Sequence, residues 1–502
     1  MSEKYFITTA IPYVNAKPHL GFALELVQTD TLARYNRLQN KDVFFLTGTD
    51  ENALKNVQSA EKAGEEVRSF VDRHVEVFKK LTQVLNLSND DFIRTTEKRH
   101  VAGAQKLWKA CEKAGDIYKK KYQGLYCIGC ESFKTEKDLI NGLCPEHKIK
   151  PEKIEEENYF FRLSKYEKEI LKLIESDQLK ILPSSRKNEL TSFIKEGLED
   201  FSISRSVERA KNWGISVPGD DSQIQFVWFD ALSNYINATG YADNEQKFKE
   251  WWEENPSRVH LIGKGITRFH AIYWPAMLIS AGLKLPSEIL IHGYLTVDGE
   301  KISKSLGNVI DPFQVVEKYG VDSARYFLLR EIPSGEDGDF SEEKLKQRYQ
   351  SDLANGLGNL VQRVLTLIEN NLGGEVNYLK KFEDATIKEF IKATEERYRK
   401  NIEEFKLHEA LANVFELISF ANAYTNEHRP WDLAKENPDH FLEVMTNLTL
   451  LIATISFWIY PFLPETGEKI LGSFGLNLED KLEDLDHQKL TTKKGEILFP
   501  RL

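Results

Sequence analysis

The sequence predicts an α/β fold in which a doubly wound parallel sheet is interrupted by a connective domain and followed by an all-α bundle. Short apolar runs alternate with helical patterns at the start of the chain and again beyond residue 225. Between them lies a Lys- and Glu-rich stretch with a cysteine cluster, and strand patterns nearly vanish after residue 340. The predicted segments are 1–115, 116–225, 226–335 and 336–502.

Composition limits the class of protein. With 41% hydrophobic and 29% charged residues, the chain of 502 residues is typical of a soluble globular protein. We find no secretory signal, transit peptide or membrane span, and the four cysteines are too few for a disulfide framework. We therefore expect a cytoplasmic protein with no membrane partner. The net charge of -11 argues against bulk attraction to nucleic acid, so DNA is not an expected partner.

The first half of the sheet is predicted from residues 5–48. The run YFITTA (Tyr5–Ala10) has the pattern of a short buried strand. From Leu20 to Leu38, apolar residues recur at mostly helical spacing. A second strand candidate, VFFLTG (Val43–Gly48), follows. Strand, helix and strand in this order predict two neighbours of a parallel, Rossmann-like sheet.

The second half of the sheet is predicted from three short apolar runs. These are QFVWFDAL, RVHLIGKGI and EILIHGYLT, which begin at Gln225, Arg258 and Glu288. Between the last two, FHAIYWPAMLISAG predicts a buried helix. The amphipathic run LHEALANVFELISFANAY is typical of the helical region that forms the last third of the chain.

Two motifs carry the chemistry of phosphate binding. In PYVNAKPHLGFALE (residues 12–25), His19 stands where the first strand gives way to a helix, whose amide groups and dipole attract phosphate. In DGEKISKSLGN (residues 298–308), Lys301 and Lys304 can bring mobile positive charge to a polyphosphate. Taken alone, the first is better explained by a solvent-exposed histidine and the second by an ordinary basic turn.

Together, HLG near the start and KISKS after the last predicted strand resemble the paired signatures of class I aminoacyl-tRNA synthetases. The resemblance implies adenylate formation, in which an amino-acid carboxylate attacks the α-phosphate of ATP and pyrophosphate leaves. His19 would hold the phosphates from one side, and Lys301 and Lys304 from the other, as the catalytic residues. Mg²⁺ is expected to accompany ATP.

A cysteine and histidine cluster predicts a metal site. Cys127 and Cys130 form one C-x-x-C hook, and after thirteen residues Cys144 and His147 form a C-x-x-H hook. Paired hooks of this kind are typical of a closed tetrahedral zinc knuckle, which predicts one structural Zn²⁺ in the connective domain. The alternative is that the cysteines are free and only pack in a core. Cys111 lies outside the spacing.

Over nearly its whole length the chain resembles the methionyl-tRNA synthetase family. The matching segments are TTAIPYVNAKPHLG, FFLTGTDENA, the cysteine hooks, NYFFRLSKYE, FVWFDALSNYI, HLIGKGITRFHAIYWPAML, LIHGYLTVDGEKISKSLGN and NEHRPWDLAK. The resemblance implies a methionine pocket formed by Ile11, Tyr13, Asp50, Trp228, Ala231, Leu232, Tyr235, Ile266 and His270. Asp50 would face the substrate ammonium. The implied ATP site adds Phe22, Glu25 and Gly293 to His19 and the two lysines.

The resemblance also implies that the helical region reads the CAU anticodon of tRNA(Met). The residues that correspond are Asn359, Arg363 and Trp431, the last by stacking on an unstacked base. Without the resemblance, the first two are ordinary polar residues of one helix face and the tryptophan is a packing anchor. Because many relatives append a dimerisation domain after the helical core and this sequence ends near it, we expect a monomer.

One position departs from the family signature, which usually ends in a second histidine where this chain has Phe22. Phenylalanine cannot donate a hydrogen bond, so we expect its ring to stack near the adenine or ribose instead.

Two other functions stay open. One is a class I synthetase for another apolar amino acid, although segment 116–225 leaves little room for the large editing domain of the isoleucine, valine and leucine enzymes. The other is a catalytically silent, synthetase-like tRNA-binding protein, which the presence of all three phosphate-binding residues disfavours.

Overall fold

The computed structural model describes residues 2–127, 132–134, 136–145, 148–297, 299–301, 309–376, 384–480, 489–493 and 495–501. Its strands are β1 (Lys4–Thr9), β2 (Asp42–Thr49), β3 (Asp91–Arg94), β4 (Ile117–Cys127), β5 (Ser132–Lys134), β6 (Glu152–Phe161), β7 (Lys180–Leu182), β8 (Phe201–Ser202), β9 (Ser204–Ser206), β10 (Ser216–Val217), β11 (Asp220–Gln225), β12 (Arg258–Gly263), β13 (Glu288–His292), β14 (Leu295–Val297), β15 (Glu300–Lys301), β16 (Gly338–Phe340), β17 (Glu375–Val376) and β18 (Leu490–Thr491).

Its α-helices are α1 (Leu20–Leu38), α2 (Leu54–Ala63), α3 (Val67–Val84), α4 (Lys98–Lys113), α5 (Glu167–Glu175), α6 (Ser184–Lys195), α7 (Val227–Leu232), α8 (Asn234–Ala238), α9 (Glu245–Phe248), α10 (Trp274–Ser280), α11 (Pro312–Tyr319), α12 (Val321–Arg330), α13 (Glu342–Arg348), α14 (Asn359–Leu372), α15 (Ala385–Glu403), α16 (Leu407–His428), α17 (Pro430–Glu436), α18 (Pro438–Ile459) and α19 (Pro464–Ser473). Three π-helical stretches, Lys249–Glu253, Phe269–Tyr273 and Tyr349–Gly358, adjoin α9, α10 and α14.

A parallel sheet of six strands, in the order β3-β2-β1-β12-β13-β7, forms the centre of the molecule. The order reverses between β1 and β12, because the chain leaves β1 toward one edge and later returns on its other side. In open parallel sheets such a reversal opens a crevice at the carboxyl ends of the strands, where ligands bind. The predicted parallel, doubly wound sheet is therefore confirmed.

Alternating side chains of the central strands enter two different cores. Tyr5 and Ile7 of β1 lie in the larger apolar cluster with α1 and the C-terminal helices, whereas Phe6 lies in a second cluster on the opposite face. This alternation is the period of two expected for strands with both faces covered. The larger cluster runs without a break from the sheet into the helical region, so α1 is packed between them.

Buried charges anchor α1 to the helical region as well. Arg325 of α12 pairs with Asp30 of α1 at 2.7 Å and donates to the backbone oxygen of Phe462, while Arg34 donates to the hydroxyl of Tyr460. Burial alone raises the pKa of Asp30, but the two guanidinium groups outweigh it and hold that pKa below its usual 3.8. These contacts fix the helix that begins directly after His19.

The connective segment 116–225, which interrupts the central sheet in the sequence, contains antiparallel sheets of its own. β4 and β6 pair over ten residues within a sheet of order β5-β4-β6-β8, and β9, β10 and β11 form a second small sheet. β7 belongs to the central sheet, although it lies inside the stretch 116–225. A further sheet of order β15-β14-β16 follows the carboxyl end of β13.

The helical character predicted for the last third of the chain is confirmed by α13 to α19. Within the described residues, α18 is the one helix long and apolar enough to cross a membrane, and 83% of its most apolar window is buried inside the protein. It forms the centre of the helical region.

One predicted strand is wrong. The run QFVWFDAL was expected in the sheet, but β11 ends at Gln225 and residues 227–232 form α7. A short apolar run that is buried on all sides gives the same pattern in a helix and in a strand. The other two runs predicted as strands contain β12 and β13, and FHAIYWPAMLISAG contains α10.

Candidate active site

The carboxyl ends of β1, β2, β12 and β13 meet at one edge of the sheet. Beyond β1, the backbone of Tyr13 forms a parallel bridge with Asp50, and Asp50 N–H donates to the Pro12 oxygen at 2.9 Å. The bridge brings Tyr13 and the buried Asp50 together, as their shared place in the predicted pocket requires. Ile11, on the same loop, is half-buried against the second apolar cluster.

His19 is the residue before the first turn of α1, and its side chain is exposed. Its backbone is extended, with φ of −116° and ψ of 168°, and its carbonyl accepts from Phe22 N–H and Ala23 N–H. A Cβ on Gly21 would lie 3.0 Å from two atoms of the imidazole, so glycine makes room for the ring. The histidine thus lies at the positive end of the α1 dipole, as predicted from the motif.

Phe22 points away from the exposed surface of this turn. Its ring is half-buried and packs edge-on against Phe78 of α3, with 5.7 Å between the ring centroids. The side chain contacts both the large apolar cluster and a smaller one on α3. Phe22 therefore joins α1 to α3 through apolar packing.

Glu25 is buried in the second turn of α1 and links the carboxyl ends of β1 and β13. One carboxylate oxygen accepts from Ala10 N–H at 2.8 Å, and the other lies 2.9 Å from Nε2 of His292. Gly293 follows His292, and a Cβ there would lie 2.0 Å from the backbone oxygen of Glu336, so only glycine permits this approach. The predicted ATP residues Glu25 and Gly293 are thus brought together, with His292 between them.

Apart from Tyr13, the aromatic side chains of the predicted pocket come from α7, α8 and the π-helical stretch before α10. Trp228 stacks on Phe269 with 3.8 Å between ring centroids and 4° between planes, and its ring lies edge-on to His270. Tyr13 and Trp228 also pack against one small apolar cluster. Ala231 and Leu232 of α7 are buried, and Ile266, which ends a short 3-10 turn after β12, is half-buried.

Hydrogen bonds fix the tautomer of His270. Its Nδ1 lies 3.0 Å from the backbone oxygen of Ile266, which can only accept, so Nδ1 carries the proton. Nε2 then accepts from the hydroxyl of Tyr235 at 2.7 Å. Burial lowers the pKa of His270 from 6.5 to about 4, so the ring is neutral at physiological pH.

A second buried histidine supports this wall of the pocket. His260 of β12 stacks against Tyr235 with 4.0 Å between ring centroids, and Trp274 donates to its Nε2. Its Nδ1 then donates to the hydroxyl oxygen of Thr8 at 2.8 Å. Burial lowers the pKa of His260 well below 6.5. The residues of the predicted pocket therefore pack with neutral, polarizable rings.

The sequence interpretation missed His260, Phe269 and His292. Phe269 stands beside the predicted His270 in RFHAIYW, and His292 precedes the predicted Gly293, so position next to an assigned residue was the available signal. His260 carries no such signal, because it lies inside an apolar strand.

The KISKS segment lies mostly outside the described residues. Lys301 ends β15, which pairs with β14 so that Lys301 is opposite Thr296. Lys304 falls outside the described part of the chain. Since β14 begins three residues after His292, the segment starts close to the carboxyl end of β13.

The cysteine hooks are described in part. Cys127 is the last residue of β4. Cys144 lies in a turn, and its backbone N–H donates to the oxygen of Ile149. Both side chains are fully buried. Cys130 and His147 lie outside the described residues, among which no group of three possible metal ligands occurs. The described residues thus include two of the four predicted zinc ligands, Cys127 and Cys144.

In the helical region, Arg363 and Trp431 are in contact. The guanidinium carbon lies 5.4 Å from the indole centroid, and the same guanidinium donates to the side-chain oxygen of Asn426 at 3.0 Å. Trp431 is 40% exposed. Asn359, one helical turn before Arg363 on α14, is exposed as well. The three predicted anticodon residues therefore border one surface.

Two family models match the chain. The model described as tRNA synthetases class I (M) matches residues 5–153 and 137–365, and the anticodon binding domain of methionyl tRNA ligase matches residues 376–498. The chain belongs to the class I tRNA synthetase (M) family. The resemblance inferred from the motifs is thereby confirmed.

Individual relatives agree with the family models. The methionine–tRNA ligase of Brucella suis is 45% identical, over 93% of this chain and 91% of the relative. The methionine–tRNA ligase of Thermotoga maritima is 41% identical, over 99% of this chain and 80% of the relative. The structure of Mycobacterium tuberculosis methionyl-tRNA synthetase in complex with methionyl-adenylate superposes with a TM-score of 0.94, at 39% identity, and covers 99% of this chain and all of that one.

Proposed function

We propose that this chain is a methionine–tRNA ligase that activates L-methionine with ATP to methionyl-adenylate and then transfers the methionyl group to tRNA(Met), in initiation and elongation. The cluster of neutral rings at the reversal of the strand order is the observation that supports this most strongly. A cytoplasmic location fits an enzyme of translation.

Methionine is proposed to bind between Tyr13, Trp228 and His270. A thioether is apolar and polarizable, and aromatic rings complement it better than charged groups do. The tautomer of His270 leaves no charge on the ring, and the Tyr235 hydroxyl holds it in place. Asp50, an acceptor when ionised, is suited to the substrate ammonium.

ATP is proposed to bind across the start of α1. His19 and the first-turn amides lie where phosphate oxygens are stabilised, and Lys301 and Lys304 would neutralise the leaving pyrophosphate from the KISKS side. Mg²⁺, when bound with ATP, supplies further neutralisation of phosphate charge. Glu25 can only accept hydrogen bonds, so it suits the nucleoside hydroxyl or amino groups and not the phosphates. Phe22 is proposed to lie near the nucleoside.

Zinc is proposed to be held by Cys127, Cys130, Cys144 and His147. The two described cysteines are fully buried, yet among the described residues none between 118 and 158 belongs to an apolar cluster, and Ile140 is 64% exposed. A metal that joins the two hooks would cross-link this segment and stabilise its fold. Metal analysis should find about one zinc per chain, and a value well below one contradicts this site.

The division into 1–115, 116–225, 226–335 and 336–502 is proposed as the functional organisation. The first and third segments form the catalytic fold, the second is the connective domain, and the last binds the anticodon through Asn359, Arg363 and Trp431. An exposed indole beside an arginine is suited to stacking on an unpaired base.

Methionine-dependent ATP–pyrophosphate exchange tests the activation step. We expect kcat/KM for methionine to exceed that for leucine, isoleucine, valine or cysteine by about 100-fold. Parity with one of them would favour a synthetase for that amino acid, and no exchange with any of them would favour a silent tRNA-binding protein. Lys304→Ala should reduce the exchange rate by about 100-fold, and an unchanged rate would contradict the role of the KISKS segment.

A further inference from the structure

His292 and Glu25 join the carboxyl ends of β1 and β13, the strands on either side of β12. Each side chain is 7% exposed, and the two meet at 2.9 Å although 267 positions separate them in the sequence. Glu25 reaches Ala10 directly after β1, and His292 ends β13. A Cβ on Gly263, the last residue of β12, would lie 3.4 Å from the imidazole and 3.9 Å from the carboxylate.

The two nitrogens of His292 serve different partners. Nδ1 lies 2.6 Å from the backbone oxygen of Gly293, which can only accept, so Nδ1 donates there. Nε2 lies 2.9 Å from Oε2 of the Glu25 carboxylate. The ring is therefore held in its own plane at both ends, and it fixes the plane of the carboxylate in turn.

We propose that His292 is a positioning residue for ATP, which acts by orienting the Glu25 carboxylate toward the nucleoside. This inference rests on the proposed function, in which Glu25 borders the adenosine. Each carboxylate oxygen has one hydrogen-bonding partner in the protein and keeps a second lone pair for a hydroxyl or amino group of the ligand. Without Nε2, the carboxylate is held only by Ala10 N–H and can rotate.

Two matched variants separate the two nitrogens. The amide nitrogen of His292→Gln can take the place of Nε2 and still donate to Glu25, whereas His292→Asn can replace only Nδ1 and its bond to Gly293. In methionine-dependent exchange, His292→Asn should raise the ATP KM by about tenfold and leave the methionine KM within about twofold. His292→Gln should keep both KM values within about threefold of wild type.

A purely structural role for His292 predicts another result. Each variant loses one buried hydrogen bond, so both should melt at similarly reduced temperatures, and a general loss of structure would raise both KM values together. Equal ATP KM values for the Asn and Gln variants, or parallel changes in the ATP and methionine KM values, would overturn the proposal.

Glu25→Gln provides the test if His292→Asn does not fold. The amide keeps the size of the side chain and an acceptor for Ala10, but replaces one of the two oxygens, so the ATP KM should rise by about tenfold with an unchanged methionine KM. An unchanged ATP KM overturns the inference. If the wild-type protein shows no methionine-dependent exchange, the proposed function and this inference are both overturned. If the wild-type protein is active and His292→Asn has the same ATP KM, only this inference is overturned.

Discussion

The hydroxyl of Tyr235 donates to Nε2 of His270 across 2.7 Å, and the two residues lie on elements separated by 35 positions in the sequence. Nδ1 of the same ring donates to the backbone oxygen of Ile266. The two hydrogen bonds together determine which nitrogen carries no proton and how the ring is oriented. Both side chains are buried, so neither can exchange its partner for bulk water. The relationship fixes a neutral ring beside Trp228.

Tyr235→Phe should weaken methionine binding. The substitution leaves a buried nitrogen of His270 without its donor, which costs about 1–3 kcal/mol of stability and frees the ring to turn. We expect the methionine KM in the exchange assay to rise by roughly tenfold, with the ATP KM unchanged. Tyr5→Phe, at the amino end of β1 and remote from the pocket, is the matched control and should keep wild-type kinetics. An unchanged methionine KM in Tyr235→Phe would contradict the pocket.

The free energy of unfolding should decrease as the pH is lowered below neutrality. Burial lowers the pKa of His270 from 6.5 to about 4 and that of His260 well below 6.5. Above pH 6.5 both rings are neutral in the folded and unfolded states and contribute nothing. Below it, only the unfolded chain takes up these protons, so each histidine destabilises the fold by about 1.4 kcal/mol per pH unit.

Urea unfolding between about pH 7 and 5 measures this dependence. His270→Gln removes one of the two groups, so the slope of the unfolding free energy against pH should become shallower than in wild type. Identical slopes in the two proteins would show that His270 does not resist protonation.

Phe22→His should disturb packing more than catalysis. The Phe22 ring contacts Phe78 edge-on, and such a pair contributes about 0.5–1.5 kcal/mol beyond its buried area. We expect a lower melting temperature and a change in exchange rate and ATP affinity of less than about tenfold. Phe78→Ala tests the same contact from α3 and should lower the melting temperature similarly. A gain in ATP affinity or exchange rate above about tenfold in Phe22→His would identify the phenylalanine as a catalytic deficit.

Trp431→Ala should impair tRNA charging and leave activation intact. The exposed indole lies against Arg363, and stacking on one base is worth about 1–3 kcal/mol. The KM for tRNA(Met) should rise by roughly tenfold or more, whereas exchange, which needs no tRNA, should keep its wild-type rate. Leu442→Ala, which removes another exposed apolar side chain of the helical region, is the control. Equal effects of the two variants would argue against stacking.

Much of the catalytic fold could be predicted because its strands are buried on both faces. YFITTA and VFFLTG are mostly apolar and buried, and the helix between them starts at the residue predicted from the HLG motif. The β4–β6 ladder was missed because its strands are rich in Lys and Glu and lack an apolar face. α7 was taken for a strand because its short run shows no period.

The candidate site was predictable where a motif marks it and not where it depends on contacts between distant residues. His19 follows from its position before a helix. The His292–Glu25 pair joins residues that no spacing rule relates, and it becomes visible only when β13 lies beside β1 and β12. The neutrality of His270 likewise depends on burial and on the Ile266 oxygen.

Charging of tRNA(Met) with methionine tests the central claim most directly. The purified chain, with ATP, Mg²⁺ and methionine, should attach methionine to a tRNA(Met) transcript to a plateau near one per molecule. The same transcript with one changed anticodon base should be charged with a kcat/KM lower by about 100-fold. Absence of methionyl-tRNA, or equal charging of the two transcripts, would contradict the account.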